Sequence, residues 1–285
     1  MKIFLTGGSG FIGSNFINHA ISEGHQIFAL KKTNSSTKIK LMREPTWING
    51  DLDTDVSEYL KESDCLVHLA AHGVYKGGID SDWSKAIKWN ISSTLNLFEN
   101  AYKCGVRKYL VIGSCFEFGK SGQRYKNIPV DAPLQPITAY ASSKAAASII
   151  LNAWAIDKKV KLHLMRLFHV YGEGEASNRL WASLKNAAKI QEDFEMTKGE
   201  QVRDFIDVKE VSKILLNGII NEKLENGNPL ITNVGSGNPK SVLSFCKKWW
   251  KTFNAKSKLL VGAKPYRENE IMRYVPEINS KTFYN

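Results

Sequence analysis

The stretch Thr6-Gly7-Gly8-Ser9-Gly10-Phe11-Ile12-Gly13 constrains this chain more than any other part of it. Apolar Ile3-Phe4-Leu5 precedes it, and Phe11, Ile12, Phe16, Ile17 and Ala20 follow at helical spacing until Gly24. A strand that turns on glycines straight into a helix aims the helix's free N–H groups and positive dipole end at whatever lies above the turn. Gly7 permits the tight turn, Gly10 lets a pyrophosphate approach the backbone, and Gly13 lets the helix pack closely on the strand. The pattern predicts a dinucleotide site at the first strand of a doubly wound sheet.

The rest of the chain fits that architecture. Strands are predicted over Gln26–Leu30, Trp47–Asn49, Cys65–Leu69, Tyr109–Ile112 and Lys161–Leu167, with helices over Trp83–Tyr102 and Ala139–Ile156. Continuously apolar strands alternating with helices indicate a Rossmann-like α/β fold whose parallel sheet is covered on both faces. After about residue 170 come helices over Arg179–Lys189, Val208–Ile220 and Ser241–Phe253, and strands near Phe194 and over Ile231–Val234. Residues 1–170 therefore read as the dinucleotide domain and 171–285 as a smaller α/β substrate lobe, with some late segments returning to the core sheet. The stripe Val242, Phe245, Trp249 reads as core.

Composition narrows the partners. Thirty-nine Lys and Arg against 28 Asp and Glu leave a net charge of +11, which favours anionic ligands. The basic residues are scattered, as at Lys158-Lys159 and Lys247-Lys248, and no nucleic-acid motif accompanies them, so a small phosphorylated molecule is expected rather than nucleic acid. No apolar run reaches the ~18 residues of a membrane span, and the start does not read as a signal peptide. Cys65, Cys104, Cys115 and Cys246 show neither metal-ligand nor disulfide spacing, so no metal and a reducing, cytoplasmic setting are expected.

Cofactor choice is made where the second strand ends. An NAD site places an acid there for the ribose hydroxyl. Here the run is Leu30-Lys31-Lys32-Thr33-Asn34-Ser35-Ser36, two cations with hydroxyls, which suits the extra phosphate of NADP(H) and leaves NAD(H) as the alternative. Asp51, after the third strand, is a candidate acceptor for the adenine amino group. Tyr140 and Lys144 lie four residues apart and share a helix face, so the ammonium is expected to pull the phenol below its ordinary value of ~10. Such a tyrosine can pass a proton when a carbonyl and an alcohol interconvert, with Ser114 at a strand end holding the oxygen.

These motifs, over nearly the whole chain, resemble the extended short-chain dehydrogenase/reductases, in their nucleotide-sugar epimerase, dehydratase and 4-keto-reductase branch. The resemblance implies a catalytic set of Ser114, Tyr140 and Lys144. It implies cofactor contacts from Gly7, Gly10, Phe11, Ile12, Gly13, Lys31, Lys32, Asp51 and Leu52, from Leu69, Ala70 and Ala71 in His68-Leu69-Ala70-Ala71, and from Asn90, which matches a structural asparagine. It places His72, Ser114, Cys115, Phe116 and His169 at the substrate, with Arg203, Arg179 and Arg267 toward its diphosphate or nucleotide. Cys115 and Phe116 stand where the dehydratases carry Asp-Glu, so 4,6-dehydration, which needs an acid and a base there, is not expected.

The implied activity is NADPH-dependent reduction of a CDP- or dTDP-4-keto-6-deoxy sugar, as in the abequose, paratose and 6-deoxytalose synthases that serve surface polysaccharide and O-antigen synthesis. An epimerase holding NAD tightly is the alternative, since it uses the same Tyr140 and Lys144. A sensing or RNA-binding role would leave the complete catalytic set unexplained. Homodimerisation is implied through the helices Trp83–Tyr102 and Ala139–Ile156, where Ala145, Ala146 and Ala147 allow close approach.

Overall fold

The computed structural model describes residues 1–73 and 82–278. In chain order its elements are β1 (Lys2–Thr6), α1 (Phe11–Ser22), β2 (Gln26–Lys31), β3 (Thr46–Asn49), α2 (Ser57–Lys61), β4 (Cys65–His68), α3 (Trp83–Ile87), a π-helical turn (Lys88–Ser92), α4 (Ser93–Lys103) and β5 (Lys108–Ser114). Then follow α5 (Ala139–Asp157), β6 (Lys161–Leu167), β7 (His169–Tyr171), α6 (Leu180–Ile190), β8 (Phe194–Met196), β9 (Val202–Arg203) and β10 (Phe205–Asp207). The last are α7 (Val208–Ile220), β11 (Leu230–Val234), β12 (Lys240–Ser241), α8 (Val242–Thr252), β13 (Leu259–Val261) and β14 (Arg273–Tyr274).

The main sheet has seven strands in the order β11-β6-β5-β4-β1-β2-β3, all pairs parallel. The chain runs outward from β1 through β2 and β3, then returns to β4 on the other side. The order therefore reverses at β1, and a crevice opens above the β1 and β4 ends. Strand periodicity explains the two-sided core. Ile3 and Leu5 of β1, Val67 of β4 and Leu110 of β5 pack with Phe16 and Ile17 of α1 and Leu215 and Ile219 of α7. The alternate residues Phe4, Leu66 and Tyr109 pack on the other face with Leu97 and Phe98 of α4 and Leu151 and Trp154 of α5.

Two elements of the later segment rejoin this core. β11 pairs with β6, and α7 packs beside α1, so these stretches of 171–285 belong to the main sheet and its helical layer. The rest builds a second cluster in which Leu184 and Ala188 of α6 meet Cys246 and Trp250 of α8. Phe245 is buried while Val242 and Trp249 sit at the edge of that cluster, in keeping with a core stripe. The helix expected to run unbroken over Trp83–Tyr102 is split by the π turn Lys88–Ser92. The turn inserts one residue and turns Asn90 inward, and such bulges mark functional sites. No described helix is long and apolar enough to cross a membrane.

Two core histidines give the fold an acid limit. His68 is buried with its ring between the Thr6 and Thr94 hydroxyls, at 2.8 and 3.2 Å. His163 donates from Nδ1 to the Gly218 carbonyl at 3.2 Å and meets the Thr232 hydroxyl at 3.0 Å. Burial disfavours the imidazolium and lowers their pKa values to about 3 and about 4. The unfolded chain takes up these protons below about pH 6.5, while the native chain resists. Stability is thus full above about pH 6.5 and falls with acidification, by roughly 2 kcal/mol per histidine at about pH 5. Calorimetric melting between neutral pH and that point should show the decline, and a flat Tm would contradict it.

Candidate active site

A cavity of about 300 Å³ opens over the glycine turn. Gly7 and Gly10 form its floor, Lys31 and Lys32 reach it from the end of β2, and Asp51 and Leu52 from the loop after β3. Leu69, Ala70 and Ala71 after β4, with Asn90, close the opposite wall. The turn is as tight as the sequence implies: Gly7 has φ +73°, and its carbonyl accepts from the Gly10 N–H at 3.0 Å. A Cβ at Gly13 would lie 2.1 Å from that same carbonyl oxygen, so nothing larger than glycine fits beneath it. Phe11 and Ile12 do not line the cavity. Helical phase turns their side chains onto the first core cluster, leaving only their backbone at the helix start.

His72, expected at the substrate, also lines this cavity. Asn90 explains its position. The His72 N–H donates to Asn90 Oδ1 at 2.7 Å, and Asn90 Nδ2 donates to the His72 carbonyl at 2.9 Å and to Ser143 Oγ at 2.8 Å. One buried amide therefore ties the loop after β4 to the helix that carries Tyr140. Gly73, with φ +92°, lies flat against the Tyr140 side chain, where a Cβ would approach to 3.3 Å. Nothing in its neighbourhood in the sequence marks this contact.

Ser114 ends β5 and caps the 3-10 turn Cys115–Phe118: its Oγ accepts from the Phe116 N–H at 3.2 Å. Tyr140 and Lys144 project from the first turns of α5, which Thr138 caps. Ser114 and Lys144 are buried and Tyr140 is half-buried. The expectation that Lys144 lowers the phenol is overturned. Burial pushes the Tyr140 hydroxyl well above the ordinary range, and the hydrogen bond from Ser114 is the main opposing influence. Burial also lowers Lys144, so the ammonium is itself a strained charge, supported by Glu117. Tyr140 is accordingly a neutral phenol over the whole physiological range, poised to donate a proton.

Arg179 and Arg203 both act electrostatically on Cys115 and His169, and Arg179 also on Tyr140, so these residues lie near one another. Burial pushes the Cys115 thiol up to about 12, which disqualifies it as the base a dehydratase would need. Phe116 is about half exposed on the same turn. His169 is held neutral, near 3, by burial and the two arginines, with Nδ1 buried and unpartnered and its ring against Phe205. Arg179 Nε pairs with Glu175 at 3.3 Å, and Arg203 pairs with Glu270 at 3.3 Å and with the Ile271 carbonyl at 2.5 Å. Burial raises Glu175 to about 7 against the pull of Arg179. Arg267 is not brought to this group: it lies exposed in the loop whose Glu270 holds Arg203.

Three features escaped the sequence reading. Ser9 lines the cavity and accepts at 3.1 Å from Ser35, one of the hydroxyls expected there, and Trp89 lines it with Lys32 over its ring at 5.8 Å. Glu117 and Arg166 form a buried ion pair at 2.8 Å beneath Ser114. Tyr274 reaches from β14 to donate to the Cys115 carbonyl at 2.9 Å. A charged residue inside an apolar strand, as Arg166 is, was the available signal for the ion pair. Among the described residues no cluster of His, Cys, Asp and Glu could hold a metal ion.

The comparisons with known proteins agree with this geometry. dTDP-6-deoxy-L-talose 4-dehydrogenase (NAD(+)) of Aggregatibacter actinomycetemcomitans is 24% identical over 280 residues, covering 95% of this chain and 98% of that one. Among solved structures, the UDP-N-acetylglucosamine 4-epimerase of Methanobrevibacter ruminantium, bound to UDP-N-acetylmuramic acid, superposes with a TM-score of 0.87 at 22% identity, over 98% of this chain and 90% of that one. The dTDP-glucose 4,6-dehydratase of Bacillus anthracis with NAD superposes with a TM-score of 0.77 at 20% identity, over 98% and 88%. The model of the NAD dependent epimerase/dehydratase family matches residues 3–235. With the glycine cradle and the Ser114–Tyr140–Lys144 group in place, the chain belongs to the NAD dependent epimerase/dehydratase family.

Proposed function

We propose that this chain reduces the 4-keto group of a CDP- or dTDP-activated 4-keto-6-deoxy sugar with NADPH, in surface polysaccharide synthesis. One observation carries the reading: Tyr140, hydrogen-bonded to Ser114 and one helical turn from Lys144, packs against Gly73 next to His72 of a glycine-floored cavity that Lys31, Lys32 and Ser35 also line, with no acid at the end of β2. The cradle fits a nicotinamide dinucleotide, since Gly7, Ser9 and Gly10 floor the cavity just where α1 begins, and a helix N-terminus suits a pyrophosphate. When bound, that cofactor supplies the hydride. Ser114 Oγ holds the carbonyl oxygen, the neutral Tyr140 phenol donates the proton, and Lys144 anchors the ribose and offsets charge on the phenolate left behind. Arg179 and Arg203 exchange their carboxylate partners for the diphosphate, a role that suits guanidinium forks.

The relative named as a dTDP-6-deoxy-L-talose 4-dehydrogenase (NAD(+)) supports redox chemistry at C4 of a 6-deoxy sugar, while its name favours NAD as the cofactor. The absence of a titrating pair at Cys115 and Phe116 argues against elimination. The neighbours named as 4-epimerases favour a second reading, an epimerase retaining NAD. The test is to mix the protein with NADPH or NADH and a panel of CDP-, dTDP-, UDP- and GDP-4-keto sugars and follow the reduced nicotinamide. Net consumption supports the reductase. No consumption, with NAD released in stoichiometric amount on denaturation, overturns it for the epimerase.

Cofactor preference has its own test. Lys32→Glu is expected to lower the NADPH:NADH ratio of kcat/KM by about tenfold to a hundredfold, the loss of one charge-assisted phosphate contact. An unchanged ratio would assign Lys32 to solvent and to Trp89 alone. The exposed Trp83, Ile87, Ile149 and Ile156 on α3 and α5 support a homodimer through these helices, whereas Ala145 and Ala147, expected to allow the close approach, are buried within the subunit by its own packing. The free cysteines, three of them buried, suit the cytoplasm.

A further inference from the structure

The geometry points to Glu117 as a positioning residue: its two carboxylate oxygens lock Ser114 and the helix bearing Tyr140 and Lys144 into one register. The inference rests on the reading of Ser114, Tyr140 and Lys144 given above. Glu117 is fully buried. Its Oε1 accepts from the Ser114 N–H at 2.7 Å, and its Oε2 accepts from Ser148 Oγ and from Arg166 Nε, each at 2.8 Å. Three elements thus meet on one carboxylate: the end of β5, α5 one turn beyond Lys144, and β6. Arg166 is fixed in turn by donating from Nη1 to the Val130 carbonyl at 2.8 Å and by lying 5.0 Å from the Phe118 ring. Gly113 leaves room for the carboxylate, since a Cβ there would lie 2.6 Å from Glu117 Oε1.

A pair buried this deeply adds little net stability, because desolvation of two ions offsets their attraction. What it supplies is direction. The Ser114 backbone N–H binds Glu117 Oε1 while Ser114 Oγ accepts from the Phe116 N–H, so backbone and side chain of Ser114 are both pinned. The hydroxyl proton of Ser114, engaged with Tyr140 here, is thereby kept where it can turn to a substrate oxygen, while the second lone pair can accept from the Tyr140 hydroxyl. The bond to Ser148 holds α5 at the height this requires. The carboxylate also bears on both titrating groups, raising Lys144 and Tyr140. The other groups facing that pair are Arg166 beside Glu117, Cys115 and Arg179 toward Tyr140, and the neutral His68 near Lys144.

The test uses the full chain with NADPH and dTDP-4-keto-6-deoxyglucose and compares Glu117→Gln/Arg166→Met, Ser148→Ala and Tyr140→Phe. The double substitution removes both charges and leaves neither buried alone. It is expected to lower kcat about tenfold to a hundredfold, leave KM within about threefold, and move the alkaline limb of the kcat profile down by about one pH unit. Ser148→Ala keeps both charges, and should lower kcat several-fold without moving that limb. Wild-type kcat and pH profile in the double variant overturn the inference, and if that variant does not fold, wild-type kcat in Ser148→Ala overturns it. Tyr140→Phe separates the two readings. If it stays active, or if the wild type does not turn over this substrate, the catalytic assignment falls and Glu117 with it. If Tyr140→Phe is inactive and the Glu117 variants behave as wild type, only the Glu117 inference falls.

Discussion

Tyr140→Phe is expected to lower kcat by about a hundredfold to ten-thousandfold, the range spanned by loss of a positioned general acid. The substitution removes one oxygen and keeps the ring, whose packing against Gly73 is untouched. Cofactor affinity and Tm should therefore stay near wild type, and the loss should fall on kcat rather than KM. Burial raises the phenol, so the acid form is the resting form at neutral pH. The reductive rate should be level through neutral pH and fall only on the alkaline side, as Tyr140 ionises. A Tyr140→Phe variant with wild-type kcat would remove the phenol from the mechanism and leave Ser114 as the proton source to examine.

Gly13→Ala should remove dinucleotide binding by a steric route. The added Cβ would lie 2.1 Å from the Gly7 carbonyl oxygen and 2.8 Å from the Gly7 carbonyl carbon and the Gly8 Cα. All three are backbone atoms of the turn, and the carbonyl is the acceptor that closes it on the Gly10 N–H. No rotamer change relieves the contact, so either the turn opens or α1 lifts from β1. Overpacking of this kind costs about 1–3 kcal/mol of stability, and loss of the cradle should weaken NADPH by at least about a hundredfold. Gly24→Ala is the control. Gly24 has φ +81° but open space around it, so strain of roughly 1–2 kcal/mol is expected with unchanged NADPH affinity. Fluorescence titration with NADPH beside thermal melting separates the two variants. Equal affinity in both would refute the cradle.

Much of this was legible in the residues. The strand Lys161–Leu167 and the helices Phe11–Ser22 and Val208–Ile220 run as their apolar periodicity predicts. Long, strongly patterned segments carry their own evidence, because the burial that stabilises them repeats along the chain. The short pieces did not. β9, β12 and β14 each have two residues, too few for any period, and exist because β9 pairs with both of the others. The π turn was hidden for a different reason. It depends on Asn90 reaching the His72 backbone and Ser143, partners 18 and 53 residues away.

The sequence by itself determined the sheet, the glycine cradle and the identity of Ser114, Tyr140 and Lys144, because turn sterics and helical spacing are local properties. It also placed two cations where an NAD site would carry an acid. Only the tertiary structure decided the charge states of Tyr140 and Lys144. Read along the helix, Lys144 is a neighbouring cation that should lower the phenol. Folded, both groups are desolvated by the elements packed around them, and that cost outweighs the Ser114 hydrogen bond that opposes it at Tyr140, leaving Tyr140 neutral and Lys144 dependent on Glu117. Desolvation is set by everything that closes over a group, including Gly73, 67 residues before Tyr140, and no spacing within one helix records it.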